Sequence, residues 1–381
     1  MTERSLPPIP VFQPAIGVDT IKAVVDALDA GWLGMGAITQ AFEDGIAEFL
    51  GLRQRWALAT NTGTSALHLG LLAAGVGAGD EVITPAFNFV ADHQAVIATG
   101  AAPVLCDIDE RTLGLDPEKA ELLVGPRTKA ILPLHFGGVP AQVDALYRLA
   151  ERRGLRVVED ATHAFGTRVG GRAIGAFGDV ACFSFDPVKV ITAIDGGAVV
   201  VGDAATLEQL RRWRFLGIDR ETHERYKNSR AWEYDVVSEG FRYHMTNINA
   251  SIGLSQLARA DEFIASRRRA CRLYNQLLGG VEGIRVPATD FADVSPFIYV
   301  IRVPAEQRDG LVAHLRARGI ATGIHFLPAQ EFSFLKGCRR GDLAVTERVA
   351  REVITLPLHS FMAEETVRRV VHAIGEALAG R

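Results

Sequence analysis

The sequence SFDPVKVITAIDGG, residues 184–197, places a lysine between two apolar runs that are typical of buried strands. VACF precedes it at 180–183, and AVVV follows it at 198–201. Only six of the 41 basic residues are lysines and 35 are arginines, yet position 189 is a lysine. Lysine loses its proton readily on burial, and its neutral amine forms an imine with a carbonyl group. Lys189 is therefore a candidate catalytic residue; the alternative is a solvated loop lysine.

Short apolar runs alternate with helix-like segments on the N-terminal side of this stretch. We predict strands at residues 56–60, 80–85, 102–109, 129–136, 155–160, 179–185 and 197–202. Helical spacing occurs at residues 64–75, 88–100 and 141–153. This alternation predicts an α/β fold with a mostly parallel sheet that helices cover on both faces.

The second half of the chain has a different pattern. Residues 205–245 are charged and aromatic with little periodicity, and we interpret them as a functional excursion. A long helical stretch is predicted from about 246 to 278. Segments 297–303, 309–319, 320–326 and 366–378 then form a second, smaller α/β unit. We therefore predict a large domain over residues 1–250, and a linking helix with a small C-terminal domain over 251–381.

The composition excludes several classes of protein. The 381 residues are 48% hydrophobic with a net charge of −4, and no basic stripe indicates a nucleic-acid partner. The four cysteines include no CxxC pair, which argues against a disulfide framework and a thiolate metal site. We find no apolar run of eighteen residues and no apolar core of a signal peptide. We expect a cytoplasmic globular enzyme without a membrane partner or a metal.

Small residues follow the first predicted strand, where NTGTSALH occupies residues 61–68. A glycine and small hydroxyl residues at the start of a helix leave backbone N–H groups and the positive end of the helix dipole facing outward. This pattern predicts a phosphate site. The alternative is an ordinary helix N-cap formed by Thr62 or Thr64.

Two polar residues follow another predicted strand, in VVEDATHAFG at residues 157–166. Asp160 ends that strand, and its carboxylate can pair with the protonated ring nitrogen of a cofactor. His163, one helical turn later, can donate a hydrogen bond to a phenolic oxygen. The alternative is that Asp160 is a helix N-cap and His163 a satisfied surface residue.

These three features are the parts that a pyridoxal phosphate enzyme requires, and they occur in order along one predicted sheet. The lysine holds the cofactor aldehyde as an imine, and the acid keeps the pyridine nitrogen protonated, so that the ring withdraws electrons. The helix start holds the phosphate.

The chain resembles the DegT-type sugar aminotransferases, which have the aspartate-aminotransferase fold (fold type I) of pyridoxal phosphate enzymes. The resemblance covers essentially the whole chain. It rests on the segments at 41–51, 62–71, 80–91, 159–166, 182–200, 240–257 and 323–328. Each segment alone is weak evidence for the family, whereas the occurrence of all of them in this order is specific for it.

The resemblance implies a role for each matching residue. Lys189 carries the cofactor and moves the proton, Asp160 pairs with the pyridine nitrogen, and His163 faces the phenolic oxygen. Phe89 stacks on the cofactor ring. The phosphate ligands that the resemblance implies are Gly63, Thr64, Ser65 and Ser184.

The resemblance also implies a homodimer, in which residues 240–244 reach the cofactor phosphate of the partner. Arg242 stands there where many members have asparagine, and an arginine strengthens a phosphate contact. His244 replaces a common arginine, and Asp195 a common glutamate, which leaves the details of the substrate open. A surface arginine is the alternative for Arg242.

The activity implied is transfer of an amino group, with glutamate as donor, to a keto group of a nucleotide-linked deoxysugar. The alternatives are another pyridoxal phosphate enzyme on sugars, a dehydratase or lyase, and a non-catalytic regulatory protein on the same fold. Further candidates for sugar contacts are Trp32, Arg220, His325 and Phe326. Of these, Trp32 and Phe326 could equally be core aromatics.

Overall fold

The computed structural model describes residues 7–219 and 233–379, and most of its strands belong to one sheet. The strands before residue 205 are β1 (Trp56–Thr60), β2 (Glu81–Pro85), β3 (Ala102–Cys106), β4 (Thr128–Ile131), β5 (Arg156–Asp160), β6 (Arg168–Val169), β7 (Arg172–Ala173), β8 (Val180–Ser184) and β9 (Gly197–Val201). The short strands β6 and β7 pair only with each other. The other seven lie in the order β1-β9-β8-β5-β4-β2-β3.

The strands of the main sheet are parallel to their neighbours except for β9. That strand is antiparallel to both β1 and β8, which flank it. The remaining pairs are all parallel, which confirms the predicted mostly parallel sheet. Most residues of the interior strands are buried, because helices cover both faces of such a sheet.

Seven helices belong to the described part of the chain before residue 220. They are α1 (Val18–Asp29), α2 (Ala37–Leu50), α3 (Gly63–Ala73), α4 (Ala91–Ala98), α5 (Pro117–Leu123), α6 (Val143–Arg153) and α7 (Ala204–Arg214). Helix α2 ends where Gly51 adopts a left-handed conformation with φ 64°, which glycine adopts without the steric cost of a side chain.

The C-terminal part has its own small core. Its helices are α8 (Asn247–Leu257), α9 (Ala260–Leu278), α10 (Ala305–Ala317), α11 (Ala344–Glu352) and α12 (Glu364–Ala379). Strands β10 (Tyr299–Arg302) and β11 (Val353–Leu356) pair antiparallel, and Tyr299, Ile354 and Leu356 pack in a core with residues of α9, α10 and α12. The predicted division at residue 250 falls within α8 and remains a prediction.

Three expectations differ from the structure. The stretch predicted as one helix from 246 to 278 is two helices, which meet at Ala258 and Arg259. The proposed excursion at 205–245 begins as helix α7, and its residues 220–232 lie outside the described chain. Within residues 320–326, only Ile320 and Gly323 form isolated bridges, to Ile9 and Thr355 respectively, and no continuous strand is present.

The topology brings distant parts of the chain to one edge. Strands β1, β5 and β8 point the same way, so their carboxyl ends lie at one edge of the sheet, and antiparallel β9 begins at that edge. Ligands bind at this edge in open α/β sheets. Within residues 7–219 and 233–379, no helix is both long and apolar enough to cross a membrane.

Candidate active site

A cavity of about 550 Å³ opens at the carboxyl edge of the sheet, a size typical of small-molecule sites. It brings together residues from the first strand–helix turn to the C-terminal part. The predicted site residues that line it are Gly63, Thr64, Phe89, Asp160, His163, Ser184 and Lys189. Two of the candidate sugar contacts, His325 and Phe326, line it as well.

Lys189 lies in the connection between β8 and β9 and faces this cavity rather than open solvent. Its backbone N–H donates to the carbonyl of Asp186 at 3.1 Å, which closes a tight turn. Its Nζ lies 4.1 Å from the ring centroid of Phe297. Burial lowers the pKa of Lys189 to about 8, although the charges of Asp160 and Asp186 act in the opposite direction. A minority of this amine, far more than in an ordinary lysine, is therefore neutral near physiological pH.

Asp160 is the last residue of β5, and its side chain is nearly buried, with the residue 3% exposed. The N–H of Thr162 donates to its Oδ1 at 2.9 Å. Turns follow β5 in place of the expected helix, so Asp160 is not a helix N-cap and His163 is not one helical turn further on. The buried carboxylate requires a partner of opposite charge or a network of hydrogen bonds.

His163 has a defined tautomer. Its Nδ1 accepts a hydrogen bond from the N–H of Gly137 at 3.3 Å, and its ring lies 4.4 Å from that of Phe297. Burial, and then the nearby charge of Lys189, hold the pKa of His163 well below its usual value. A neutral ring that accepts at Nδ1 carries its proton on Nε2, so His163 is a hydrogen-bond donor there.

The start of helix α3 forms the predicted phosphate site. Thr62 is the N-cap: its hydroxyl accepts from the N–H of Ser65, and the Ser65 hydroxyl accepts from the N–H of Thr62. This capping box leaves the N–H groups of Gly63 and Thr64 as helix-start donors for an anion. A Cβ on Gly63 would lie 2.7 Å from the Cβ of Ser184, so only glycine permits this approach of the two segments.

The mouth of the cavity is aromatic. Phe89 is 58% exposed, and its ring centroid lies 6.1 Å from that of Phe326. His325 shares a hydrogen bond of 2.8 Å between its Nδ1 and Thr355 Oγ1, and burial lowers the pKa of His325 to about 4. Phe326 therefore belongs to the cavity wall, while Trp32 does not line it and bonds to the carbonyl of Met35.

Three further predicted residues lie elsewhere. The hydroxyl of Ser65 serves the capping box and does not line the cavity. Arg242 is exposed and does not line it either; its backbone forms a bridge with Phe215. Arg220 lies outside the described residues.

Sequence reasoning missed four residues around the site. Asn88, Asp92 and Phe297 line the cavity. Arg267, on helix α9, is buried and donates to the backbone oxygens of Phe297 at 3.1 Å, Leu358 at 3.4 Å and Lys189 at 3.5 Å. Asp92 lies three residues after Phe89, a predicted site residue, and this proximity in sequence was a weak indication that Asp92 belongs to the site. Tertiary packing alone identifies Phe297 and Arg267.

These residues fit pyridoxal phosphate. The free N–H groups at the start of α3 suit a phosphate, the neutral fraction of Lys189 suits an aldehyde, and the buried carboxylate of Asp160 suits a protonated ring nitrogen. Among the described residues, no cluster of three or more histidine, cysteine, aspartate or glutamate side chains could hold a metal ion.

Comparison with known proteins gives one consistent answer. Residues 14–375 match the model of the DegT/DnrJ/EryC1/StrS aminotransferase family. Aminotransferase TlmJ from Streptoalloteichus hindustanus is 36% identical, with a TM-score of 0.90 over 98% of this chain and 99% of its own. DesV from S. venezuelae, solved in complex with a ketimine intermediate, is 35% identical, with a TM-score of 0.90 over 99% and 100%.

A third similar structure is the sugar aminotransferase CalS13 from Micromonospora echinospora. It is 29% identical, with a TM-score of 0.88 over 97% of this chain and 99% of its own. The comparisons confirm the predicted family and the predicted fold of pyridoxal phosphate aminotransferases.

Proposed function

This chain belongs to the DegT/DnrJ/EryC1/StrS aminotransferase family, and on that premise we propose that it transfers an amino group from glutamate to a keto group of a nucleotide-linked deoxysugar. Pyridoxal 5′-phosphate is the proposed cofactor. The observation that carries the proposal is the meeting of Lys189, Asp160 and the start of helix α3 in one cavity. That the enzyme works in the cytoplasm stays a prediction.

Lys189 is the proposed proton carrier. When bound, pyridoxal phosphate supplies an aldehyde that takes up the amine and a protonated pyridine ring that withdraws electrons. The Nζ of Lys189 accepts a proton in its neutral form and returns it in its charged form, and a pKa of about 8 makes both forms accessible. The Phe297 ring beneath Nζ restricts where the amine can move.

Asp160 and His163 are the proposed ring contacts. The carboxylate of Asp160, fixed by the N–H of Thr162, would pair with the ring nitrogen of the bound cofactor and would favour the protonated form of that nitrogen. The Nε2–H of His163 would donate to the phenolic oxygen of the bound cofactor. Its neutral state adds no second positive charge to a site that already contains Lys189.

The acceptor is the part of the proposal that the mouth of the cavity supports. Phe89 offers exposed ring surface, and the half-buried rings of His325 and Phe326 line the same cavity. Together they suit the mixed apolar and hydroxyl faces of a deoxysugar. CalS13 is described as a sugar aminotransferase, which supports the same class of acceptor here.

We propose a homodimer as the working form. The exposed face of helix α1 carries Val18, Ile21, Val25 and Leu28, spaced as one apolar stripe. Such a stripe is costly in water, and a second copy of the chain would cover it. Arg242 is exposed as well, and in the dimer we place it at the cofactor phosphate of the partner.

The donor half-reaction tests the proposed activity. Purified protein loaded with pyridoxal phosphate should convert glutamate to 2-oxoglutarate, one equivalent per site, and then aminate a keto group in a panel of nucleotide-linked keto sugars. Mass spectrometry of the products reports both steps. A dehydratase or lyase would release no 2-oxoglutarate, and a non-catalytic protein would leave both compounds unchanged.

A further inference from the structure

His135 begins the backbone turn that holds His163, although it does not line the cavity and has no role in the chemistry above. It is fully buried. Its N–H donates to the carbonyl of Asp160 at 3.1 Å, and its own carbonyl accepts the N–H of Gly138 at 3.0 Å, which closes the turn. Within that turn, the N–H of Gly137 donates to Nδ1 of His163 at 3.3 Å. The backbone at His135 is thus linked to both proposed ring contacts.

The side chain of His135 bonds to Glu159, on the face of the sheet away from the cavity. Neighbouring residues of a strand point to opposite faces, so Glu159 lies behind β5 while Asp160 faces the cavity. Nε2 of His135 lies 2.8 Å from Oε2 of Glu159, and Nδ1 accepts the N–H of Ala141 at 3.1 Å. A ring that accepts at Nδ1 carries its proton on Nε2, so His135 donates to the carboxylate.

Glu159 is itself fixed in place. The residue is 1% exposed, and the hydroxyl of Tyr147, on helix α6, donates to its Oε1 at 2.6 Å. Each carboxylate oxygen therefore has a side-chain donor, as a buried polar group requires. A Cβ on Gly178 would lie 2.8 Å from Oε1, so the backbone packs directly against the carboxylate. Glu159 is a rigid anchor for the ring of His135.

The turn needs such an anchor because two glycines form it. Gly137 and Gly138 have φ values of 64° and 96°, and glycine by itself has little preference for one conformation. The position of the turn matters at two places in the cavity. Besides its bond to His163, Gly137 accepts the N–H of Phe297 at 3.0 Å, and the ring of Phe297 lies 4.1 Å from Nζ of Lys189.

We propose that His135 is a positioning residue: held by Glu159 behind the sheet, it fixes the turn whose N–H keeps the proton of His163 on Nε2. There the ring of His163 can donate to the phenolic oxygen of the cofactor. The inference rests on that proposed contact of His163. In this scheme His135 touches neither substrate nor cofactor and acts through the backbone of Gly137.

Nitrogen NMR of the full-length protein with isotope-labelled histidine is the first test, with and without pyridoxal phosphate at neutral pH. In the wild type, the His163 signals, identified by their absence in His163→Gln, should show a bare Nδ1 and a protonated Nε2. His135→Ala should give a mixture of the two tautomers. The matched control Tyr147→Phe removes the other donor to Glu159 but leaves the turn, and should keep the wild-type tautomer.

Unchanged His163 signals in folded His135→Ala would overturn the proposal. Equal changes in His135→Ala and Tyr147→Phe would refute it as well, since a general loosening around Glu159 would then be the cause. The spectra without cofactor need neither binding nor turnover, so their outcome is separate from that of the proposed activity.

Rescue by a conservative variant is the second test. His135→Gln retains an N–H donor near the position of Nε2 and should keep the wild-type tautomer of His163. His135→Asn is too short to reach Glu159 and should behave as His135→Ala does, which keeps the test valid if the Ala variant fails to fold. Affinity for pyridoxal phosphate should fall about tenfold in the Asn and Ala variants, the scale of one hydrogen bond, and stay near the wild-type value in the Gln variant. Equal losses in the Gln and Asn variants would show that the shape of the ring matters instead of its bond to Glu159, and would rule out the anchoring role.

Discussion

The inner wall and the outer rim of the cavity are built differently. On the inner wall, Asp160, His163 and Lys189 are held by hydrogen bonds and ring contacts from within one chain. On the outer rim, Phe89 is 58% exposed; outside the cavity, Arg242 and the apolar stripe of α1 also face outward. The groups for proton transfer are thus preorganised within one chain, whereas in the proposed homodimer Arg242 would add a phosphate contact from the partner.

Among variants of the inner wall, Lys189→Ala should have the largest effect on turnover. Loss of the proton carrier should lower turnover by at least about 10⁴-fold, near the upper end of what general acid–base catalysis contributes. Unfolding temperature should hold or rise, because the variant removes a buried amine. Lys336→Ala, at an exposed lysine, is the control and should keep wild-type turnover.

Chemical trapping checks the same assignment without turnover. Borohydride reduction followed by peptide mass spectrometry should find the cofactor attached at Lys189. Because the neutral amine is the reactive form, attachment should speed up as the pH rises through about 8. A cofactor adduct on any other lysine would refute the assignment.

Asp160→Asn should have the second-largest effect. It keeps the shape of the side chain but removes the charge that favours the protonated ring, so kcat should fall by about 10²- to 10³-fold. Asp160→Glu keeps the charge in a displaced position and should be milder. Steady-state kinetics with glutamate measure both variants; wild-type turnover in Asp160→Asn would assign the carboxylate a structural role alone.

Arg242, which lies outside the cavity, should give the smallest effect when it alone is changed. Arg242→Ala removes one charge-assisted phosphate contact, so affinity for the cofactor should fall about tenfold while kcat at saturating cofactor changes little. Titration of the apoprotein with pyridoxal phosphate, followed by absorbance, measures this.

Mixing two impaired variants then shows whether Arg242 contributes to the site of its own chain or to that of the partner. If it acts across the dimer, a mixed dimer of Lys189→Ala and Arg242→Ala has both defects in one site and leaves the other intact. With equal amounts and free exchange, about a quarter of all sites should then be wild type, and activity should return at limiting cofactor. If Arg242 acts within its own chain, mixing restores nothing.

Local signals were sufficient to predict the main sheet. The apolar runs ending in small or polar residues gave β1 at 56–60 without error, and gave β5 and β8 to within one residue at each end. The break in the predicted helix at Ala258 and Arg259 could not be predicted, since neither residue disfavours a helix. Packing of α8 and α9 on different partners overrides that propensity.

The candidate site likewise contains residues that local sequence signals predict and residues that they do not. Lys189, Asp160 and Gly63 each follow or precede a predicted strand, so their approach at one edge follows from the topology. Phe297 and Arg267 join the site through tertiary packing between segments far apart in sequence. A pattern within one segment carries no information on such contacts.

Arg267 constrains how the protein can be divided. Its guanidinium stays charged, it is 1% exposed, and no described carboxylate forms an ion pair with it. Backbone oxygens of Lys189, Phe297 and Leu358 solvate it instead, and they come from both parts of the chain. A fragment that ends before residue 297 would bury this cation without its acceptors or would have to expose it. Dissection at residue 250 would leave Arg267 with the oxygens of Phe297 and Leu358 but remove that of Lys189. We therefore expect the two parts of the intact chain to unfold together, in one cooperative transition.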